Sequence, residues 1–89
     1  ATNPGLESVL QIAPNPATNV LNVKALDAAV QQGTLRVYDA LGRLVKTQTA
    51  DFSNDNTVAV DLSGFVPGTH YLHFRAAGGQ YWVRAFVVN

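Results

Sequence analysis

Gly33-Thr34-Leu35-Arg36-Val37-Tyr38-Asp39-Ala40-Leu41-Gly42-Arg43-Leu44-Val45 is the stretch that decides the fold. Leu35 and Val37 alternate with Arg36 and Tyr38, so one face of the run is apolar and the other polar. That two-residue period belongs to a half-buried β-strand. Asp39 and Gly42 take the first and fourth places of a four-residue turn, as a type I turn prefers. A glycine in the fourth place can also adopt the left-handed conformation of a G1 bulge. The run Arg43–Thr49 is then the more polar returning strand, and the whole stretch is predicted to be a β-hairpin.

The same period extends in both directions. Ser8–Ala13 places Leu10 and Ile12 on one face. Asn19–Ala25 places Leu21 and Val23 inward, with Asn22 and Lys24 outward. Thr57–Leu62 places Val58, Val60 and Leu62 inward, and His70–Ala76 places Leu72 and Phe74 inward. Gln80–Val88 closes the set with apolar residues on both faces. Trp82, Phe86 and Val88 lie on one, and Tyr81, Val83, Ala85 and Val87 on the other. Such a strand either lies mid-sheet or leaves an apolar surface for a partner. Pro14-Asn15-Pro16 cannot continue a central strand, because two of its three nitrogens carry no proton. Val66-Pro67-Gly68 reads as a turn, and Gly78-Gly79 as a two-residue hairpin loop. Ala25–Gln32 is the one helical candidate and is too short for a stable helix, so it is expected to be a loop with at most one helical turn. Residues 1–7 read as a linker end, and residues 8–89 as one domain. Short strands with turn signals between them predict an all-β sandwich or barrel.

Composition narrows the function. The chain has 89 residues, and six Lys+Arg balance six Asp+Glu. A balanced charge argues against nucleic-acid or anionic-membrane binding, both of which need a basic stripe. No apolar run approaches the ~18 residues of a helical membrane span, so no membrane insertion is expected. The absence of Cys removes disulfides and thiolate metal sites. With no Met, the sequence is expected to be a processed piece or excised domain of a longer chain.

The candidate chemistry is sparse. His70 and His73 stand three apart in a strand and point to opposite faces, so they cannot grip one metal. His70 is expected inward and His73 outward. Asp51–Asn56 holds several oxygen donors but lacks the terminal bidentate Glu of an EF-hand loop, and local Asx turns account for it. Ser8, Ser53 and Ser63 have no nucleophile-elbow context, so no catalytic residue is assigned. Tyr38, Tyr81 and Trp82 are candidates for a sugar-stacking platform, against ordinary strand aromatics. Tyr81 and Trp82 are strand neighbours facing opposite ways, so one of them is expected in the core. No cofactor and no metal is expected.

The ordered set of motifs resembles a known family. Ile12-Ala13-Pro14-Asn15-Pro16-Ala17 is followed by Val20-Leu21-Asn22-Val23 and by Val37-Tyr38-Asp39-Ala40-Leu41-Gly42-Arg43-Leu44-Val45. Then come Val60-Asp61-Leu62-Ser63, Pro67-Gly68 and Phe86-Val87-Val88. This order, over about Leu10 to Asn89, is similar to the type A C-terminal sorting domain of the type IX secretion system of Bacteroidetes. The resemblance implies a seven-stranded immunoglobulin-like antiparallel β-sandwich at the end of a larger secreted protein. It implies passage of the N-terminal cargo domains through the outer-membrane translocon, to the cell surface or medium. It further implies removal of the domain by a surface sortase-like peptidase.

By the same resemblance Pro14, Asn15, Pro16, Asp39, Gly42, Arg43 and Gly68 are structural motif residues. Arg84, Ala85, Phe86, Val87, Val88 and Asn89 are the sorting signal. Two departures stand out. Gly68-Thr69-His70 replaces the family's Gly-x-Tyr, and Ala85 and Asn89 stand where terminal lysines are usual, leaving Arg84 as the basic residue. A carbohydrate-binding or purely structural accessory domain of a secreted glycosidase or adhesin is the alternative. A purely structural spacer would lie mid-chain in its parent, whereas a sorting domain ends it.

Overall fold

In Val20-Leu21-Asn22-Val23-Lys24-Ala25 every second side chain is apolar, and burying that face pulls the segment into a strand. Leu21, Val23 and Ala25 are buried, while Val20, Asn22 and Lys24 face solvent. The same logic produces seven strands among the described residues of the computed structural model, which are 10–26, 30–79 and 81–89. They are β1 (Leu10–Ala13), β2 (Val20–Ala25), β3 (Gln32–Asp39), β4 (Leu44–Asp51), β5 (Thr57–Asp61), β6 (Gly68–Ala76) and β7 (Tyr81–Val88).

The strands form two antiparallel sheets, one ordered β1-β2-β5 and the other β4-β3-β6-β7. The fourth strand thus joins its hairpin partner, whereas in a constant-type immunoglobulin domain it extends the opposite sheet. Where the chain crosses between sheets, the Gln48 side-chain amide donates to the Ala59 carbonyl at 3.1 Å and ties β4 to β5.

The inner faces meet in one core. Leu21, Val23, Leu35, Val37, Val60, Leu62, Leu72, Phe74 and Phe86 are its largest fully buried side chains. Burial of such side chains stabilises by about 1.5–3 kcal/mol each. Ile12 and Val58, expected inside, are only partly buried. They sit on β1 and β5, the two edges of the narrower sheet, where the opposing layer covers less. Val30 and Phe52 close one end of the core, with the Phe52 ring packed edge-on against Phe74 at 5.8 Å between centroids.

The β3–β4 hairpin forms as the sequence predicts. The Gly42 N–H donates to the Asp39 carbonyl at 3.0 Å, and Gly42 has φ +85°. The register then slips by one residue, with Val37 opposite Lys46 and Tyr38 opposite Leu44, so Val45 bulges outward.

Several boundaries differ from expectation. Leu10 opens β1, and residues 1–7 lie outside the described residues. In the stretch Ala25–Gln32, Ala25 ends β2 and Gln32 begins β3, while Leu26, Val30 and Gln31 form irregular chain and residues 27–29 lie outside the description. The β6–β7 connection is longer than two residues. A turn spans Ala76–Gly79, with the Gly79 N–H on the Ala76 carbonyl at 2.9 Å. The turn therefore centres on Ala77-Gly78, one residue earlier than the expected Gly78-Gly79 loop, and Gly79 follows it with φ +97°. Strand β7 is neither mid-sheet nor wholly open: it is an outer strand, partly covered.

Candidate recognition surface at the last strand

The cover on β7 comes from the Pro14-Asn15-Pro16 segment. With its two proline nitrogens unable to donate, the segment leaves β1 and crosses to the opposite sheet. Ala17 there makes an isolated parallel bridge with Val88. The Ala17 N–H donates to the Val87 carbonyl at 2.8 Å, and the Asn89 N–H donates to the Ala17 carbonyl at 2.8 Å. The Asn15 side-chain oxygen accepts the Val87 N–H at 3.0 Å.

These bonds reveal how β7 divides its backbone groups. The N–H and C=O of Val87 both point away from β6. In an antiparallel ladder the direction alternates residue by residue, so the groups of Tyr81, Val83 and Ala85 also point outward. The strap closes the edge at Val87–Asn89, and among the described residues no strand pairs with it from Tyr81 to Ala85.

The side chains divide as well. Trp82, Phe86 and Val88 face the core, with Phe86 1% and Val88 3% exposed. Arg84 shares their side of the strand but is exposed, with its guanidinium carbon 5.3 Å from the centre of the Trp82 ring. Ala85, Val87 and Asn89 are exposed. The six expected signal residues therefore split into four reachable side chains and two sealed ones.

The motif residues gather at the same end. Asp39 stands opposite His70 on β6, His70 opposite Phe86, and Gly68 opposite Val88. Asp39 Oδ1 accepts the backbone N–H of Leu41 at 2.9 Å and of Arg43 at 3.0 Å, and Oδ2 accepts Arg43 Nε at 2.9 Å. The Arg43 backbone bond above all, with its side chain and the Leu41 N–H, holds the Asp39 carboxyl below its ordinary value of 3.8. Gly68, at φ +132°, starts β6.

His70 is buried, as the sequence reading expects, at the position where the family motif has tyrosine. Its ring lies between Phe65 and Phe86, and Nδ1 stands 3.1 Å from the Gly68 carbonyl. His73 lies on the outer face between Tyr38 and Tyr81, with centroids at 4.5 and 5.6 Å, and its Nδ1 is hydrogen-bonded to the Tyr81 hydroxyl. Burial, and then the Arg36 charge, lower its pKa. Of the three candidate aromatics Trp82 is the one in the core, and Tyr38 and Tyr81 lie outside it. In the Asp51–Asn56 loop the Asp51 carboxylate accepts both the backbone N–H and the hydroxyl of Ser53, an Asx turn. No cluster of three or more His, Cys, Asp or Glu fit for a metal exists among the described residues.

Residues 11–89 match the family model of the secretion system C-terminal sorting domain. The chain belongs to this family. The sorting domain's fold has distant relatives among solved structures. One is a DUF3244 family protein from Bacteroides vulgatus with an immunoglobulin-like β-sandwich fold. It is 13% identical at a TM-score of 0.72, over 91% of this chain and 85% of that one. Another is CopC from Methylosinus trichosporium OB3b, 11% identical at a TM-score of 0.57, over 90% and 93% of the two chains. At such identities the likeness concerns fold alone. No curated protein sequence matches the sorting domain. The fold is thus an immunoglobulin-like sandwich, and membership in the family makes the domain a sorting signal for export by type IX secretion.

The tie between Asn15 and Val87 escaped the sequence reading. Its one sequence signal is an asparagine held between two prolines, which fixes a short side chain where it can stand in for a missing ladder acceptor.

Proposed function

We propose that the domain works in export by presenting β7 on a folded scaffold. The type IX translocon binds that strand and carries the N-terminal cargo domains of the same chain across the outer membrane. A surface sortase-like peptidase then removes the domain. In this reading the domain is a handled substrate and not a catalyst.

One observation supports it most: the backbone groups of Tyr81, Val83 and Ala85 line an open edge beside the exposed Arg84. An extended segment of the partner can add to such an edge by strand pairing, with exposed side chains giving specificity. Phe86 and Val88 act from within, by fixing the strand against the core. Recognition of the Phe86 side chain itself would require the domain to open.

The test is a periplasm-directed reporter fused ahead of this chain in a type IX-competent host. The reporter should reach the cell surface or medium, and deletion of Ala85–Asn89 should leave it in the periplasm. Periplasmic retention with the intact domain, or export that survives the deletion, overturns the proposal.

A further inference from the structure

A sheet face that meets only water alternates its apolar core residues with polar ones. The outer face of β6 and β7 departs from that rule. Tyr71, Tyr81, Val83 and Val87 all lie on it, between 38% and 47% exposed. The ladder makes them neighbours: Arg75 stands opposite Tyr81, His73 opposite Val83, Tyr71 opposite Ala85 and Thr69 opposite Val87. Contiguous apolar surface of this kind marks a site of interaction.

The charge on this face has one sign. β3 adds Arg36 opposite His73, and Thr34 opposite Arg75. β4 adds Thr47 opposite Arg36, and Thr49 opposite Thr34. Neither Arg36 nor Arg75 makes an ion pair among the described residues. The only carboxylate on the face among those residues is Asp51, at the corner opposite Gln32, and its Oδ1 is taken by the Ser53 N–H and hydroxyl. His73, between Tyr38 and Tyr81, brings no negative charge in either protonation state. No Lys or Glu stands on the face among the described residues. Tyrosine and arginine without Lys or Glu is the composition of a protein–protein interface, not of free surface.

We infer, resting on the reading that the translocon binds β7, that the same protein partner covers this outer face with an acidic surface. Its carboxylates meet Arg36 and Arg75, and its apolar side chains meet Tyr71, Val83 and Val87. Strand addition from Tyr81 to Ala85 would cover a strip only about 17 Å long and one strand wide. A stable interface needs roughly 800 Å² from each partner, so the partner must extend beyond the edge. The inner side of β7 is sealed, with Trp82, Phe86 and Val88 in the core. The outer face continues from the edge without a break, because Tyr81, Val83 and Ala85 belong to both. A second copy of the chain is the poorer occupant, since it would set the same cations against each other.

The experiment is export of the same reporter fusion in a type IX-competent host, with substitutions that leave the edge backbone untouched. Arg36→Glu and Arg75→Glu should each lower the exported reporter about fivefold or more, because like charges across an interface repel. Arg75→Lys keeps the charge and should retain most of the export. Val83→Thr keeps a branched side chain but loses apolar contact, and should lower export as well. Lys24→Glu makes the matched charge reversal on the outer face of the other sheet, where Lys24 is exposed, and should export normally. A thermal melt of each variant checks folding. Should Arg36→Glu fail to fold, Arg75→Glu and Val83→Thr, both at exposed positions, carry the test. Normal export of folded Arg75→Glu, while deletion of Ala85–Asn89 still blocks export, keeps the strand reading and overturns this inference. Equal loss in Lys24→Glu overturns it too. So does retention of the isolated domain on immobilised polygalacturonate that Arg75→Glu abolishes, which would give the face to an acidic glycan. Periplasmic retention of the unaltered fusion removes the strand reading and this inference with it.

Discussion

Asn15 holds Val87 by a 3.0 Å hydrogen bond between residues 72 apart in sequence. The bond fastens the end of the last strand to the segment that follows the first. Asn15→Ala should cost about 0.5–1.5 kcal/mol, the net worth of one such bond. In hydrogen exchange the Val87 amide should lose protection before the amides of Leu72 or Phe74. Asn15→Asp keeps an acceptor oxygen and should behave closer to the unaltered domain. Unchanged Val87 protection in Asn15→Ala would show that the tie does not hold the strand.

The open edge and the exposed side chains of β7 can be separated by substitution. Ala85→Pro removes an N–H that points away from β6, so no ladder bond is lost, and edge strands tolerate such a proline. It should stay folded and block export of a fused reporter. Arg84→Ala removes a cation from the Trp82 ring, worth about 0.5–1 kcal/mol at an exposed site, and should reduce export to the extent that side chains are read. Phe86→Ala cannot make this distinction. It empties a fully buried site at a cost of about 3–5 kcal/mol, a large part of the roughly 5–8 kcal/mol expected for so small a domain. Its melt should be lost or strongly lowered. Normal export of the Ala85→Pro reporter would remove the backbone-edge reading.

Two glycines should respond to alanine for opposite reasons. A Cβ at Gly33 would strike the Arg75 carbonyl oxygen and come within 2.6 Å of the Phe74 ring. Backbone and a packed aromatic cannot step aside cheaply, so Gly33→Ala should cost about 1–3 kcal/mol or more as overpacking. Gly42 has open space around it but φ +85°, and Gly42→Ala should cost about 1–2 kcal/mol from the left-handed backbone alone. Chemical denaturation of both variants gives the comparison. A Gly33→Ala domain as stable as the parent would mean that β3 and β6 do not approach so closely.

Acid should weaken the domain in two stages. The pKa of His73 is lowered by burial and by Arg36 from its ordinary 6.5. The folded domain therefore binds that proton less readily than the unfolded chain does. The stabilisation is complete above 6.5 and is lost as pH falls through the folded value. Asp39, held down chiefly by the Arg43 backbone N–H, Asp51 by the Ser53 hydroxyl and Asp61 by the Ser63 backbone N–H follow the same sign from 3.8 downward. Melting temperature against pH should decline gently in the first window and more steeply in the second. His73→Gln should flatten the first decline, and a first decline that persists in this variant would assign it to another group.

Most strands were legible because they bury one face, whereas β4 buries only Ala50 and was legible through its hairpin turn. Leu21/Val23, Leu35/Val37 and Leu72/Phe74 mark the core by their alternation alone. The hairpin was legible because Asp39 and Gly42 have the backbone chemistry their turn needs. What escaped depends on residues distant in sequence. Nothing local to Asn15 shows that Val87 will need an acceptor. Nothing local to Gly33 shows that Phe74 will press against it. Phe52 and Val30 sit in irregular chain, where no period marks them as core. The edge position of β7 was hidden for the same reason: its outer face is as apolar as an inner one, and only the strand order shows which neighbour is missing.

The parallel bridge between Ala17 and Val88 also has a mechanical meaning. Two parallel neighbours, one pulled from its start and the other from its finish, slide past each other in shear. Their bonds then share the load, whereas an antiparallel hairpin pulled from its open end unzips one bond at a time. A force drawing residue 14 away from residue 89 would load the bonds Ala17–Val87, Asn89–Ala17 and Asn15–Val87 together. The strap therefore makes the domain a clamp that resists traction along its length, and Asn15→Ala should lower the rupture force in single-molecule pulling between these two points.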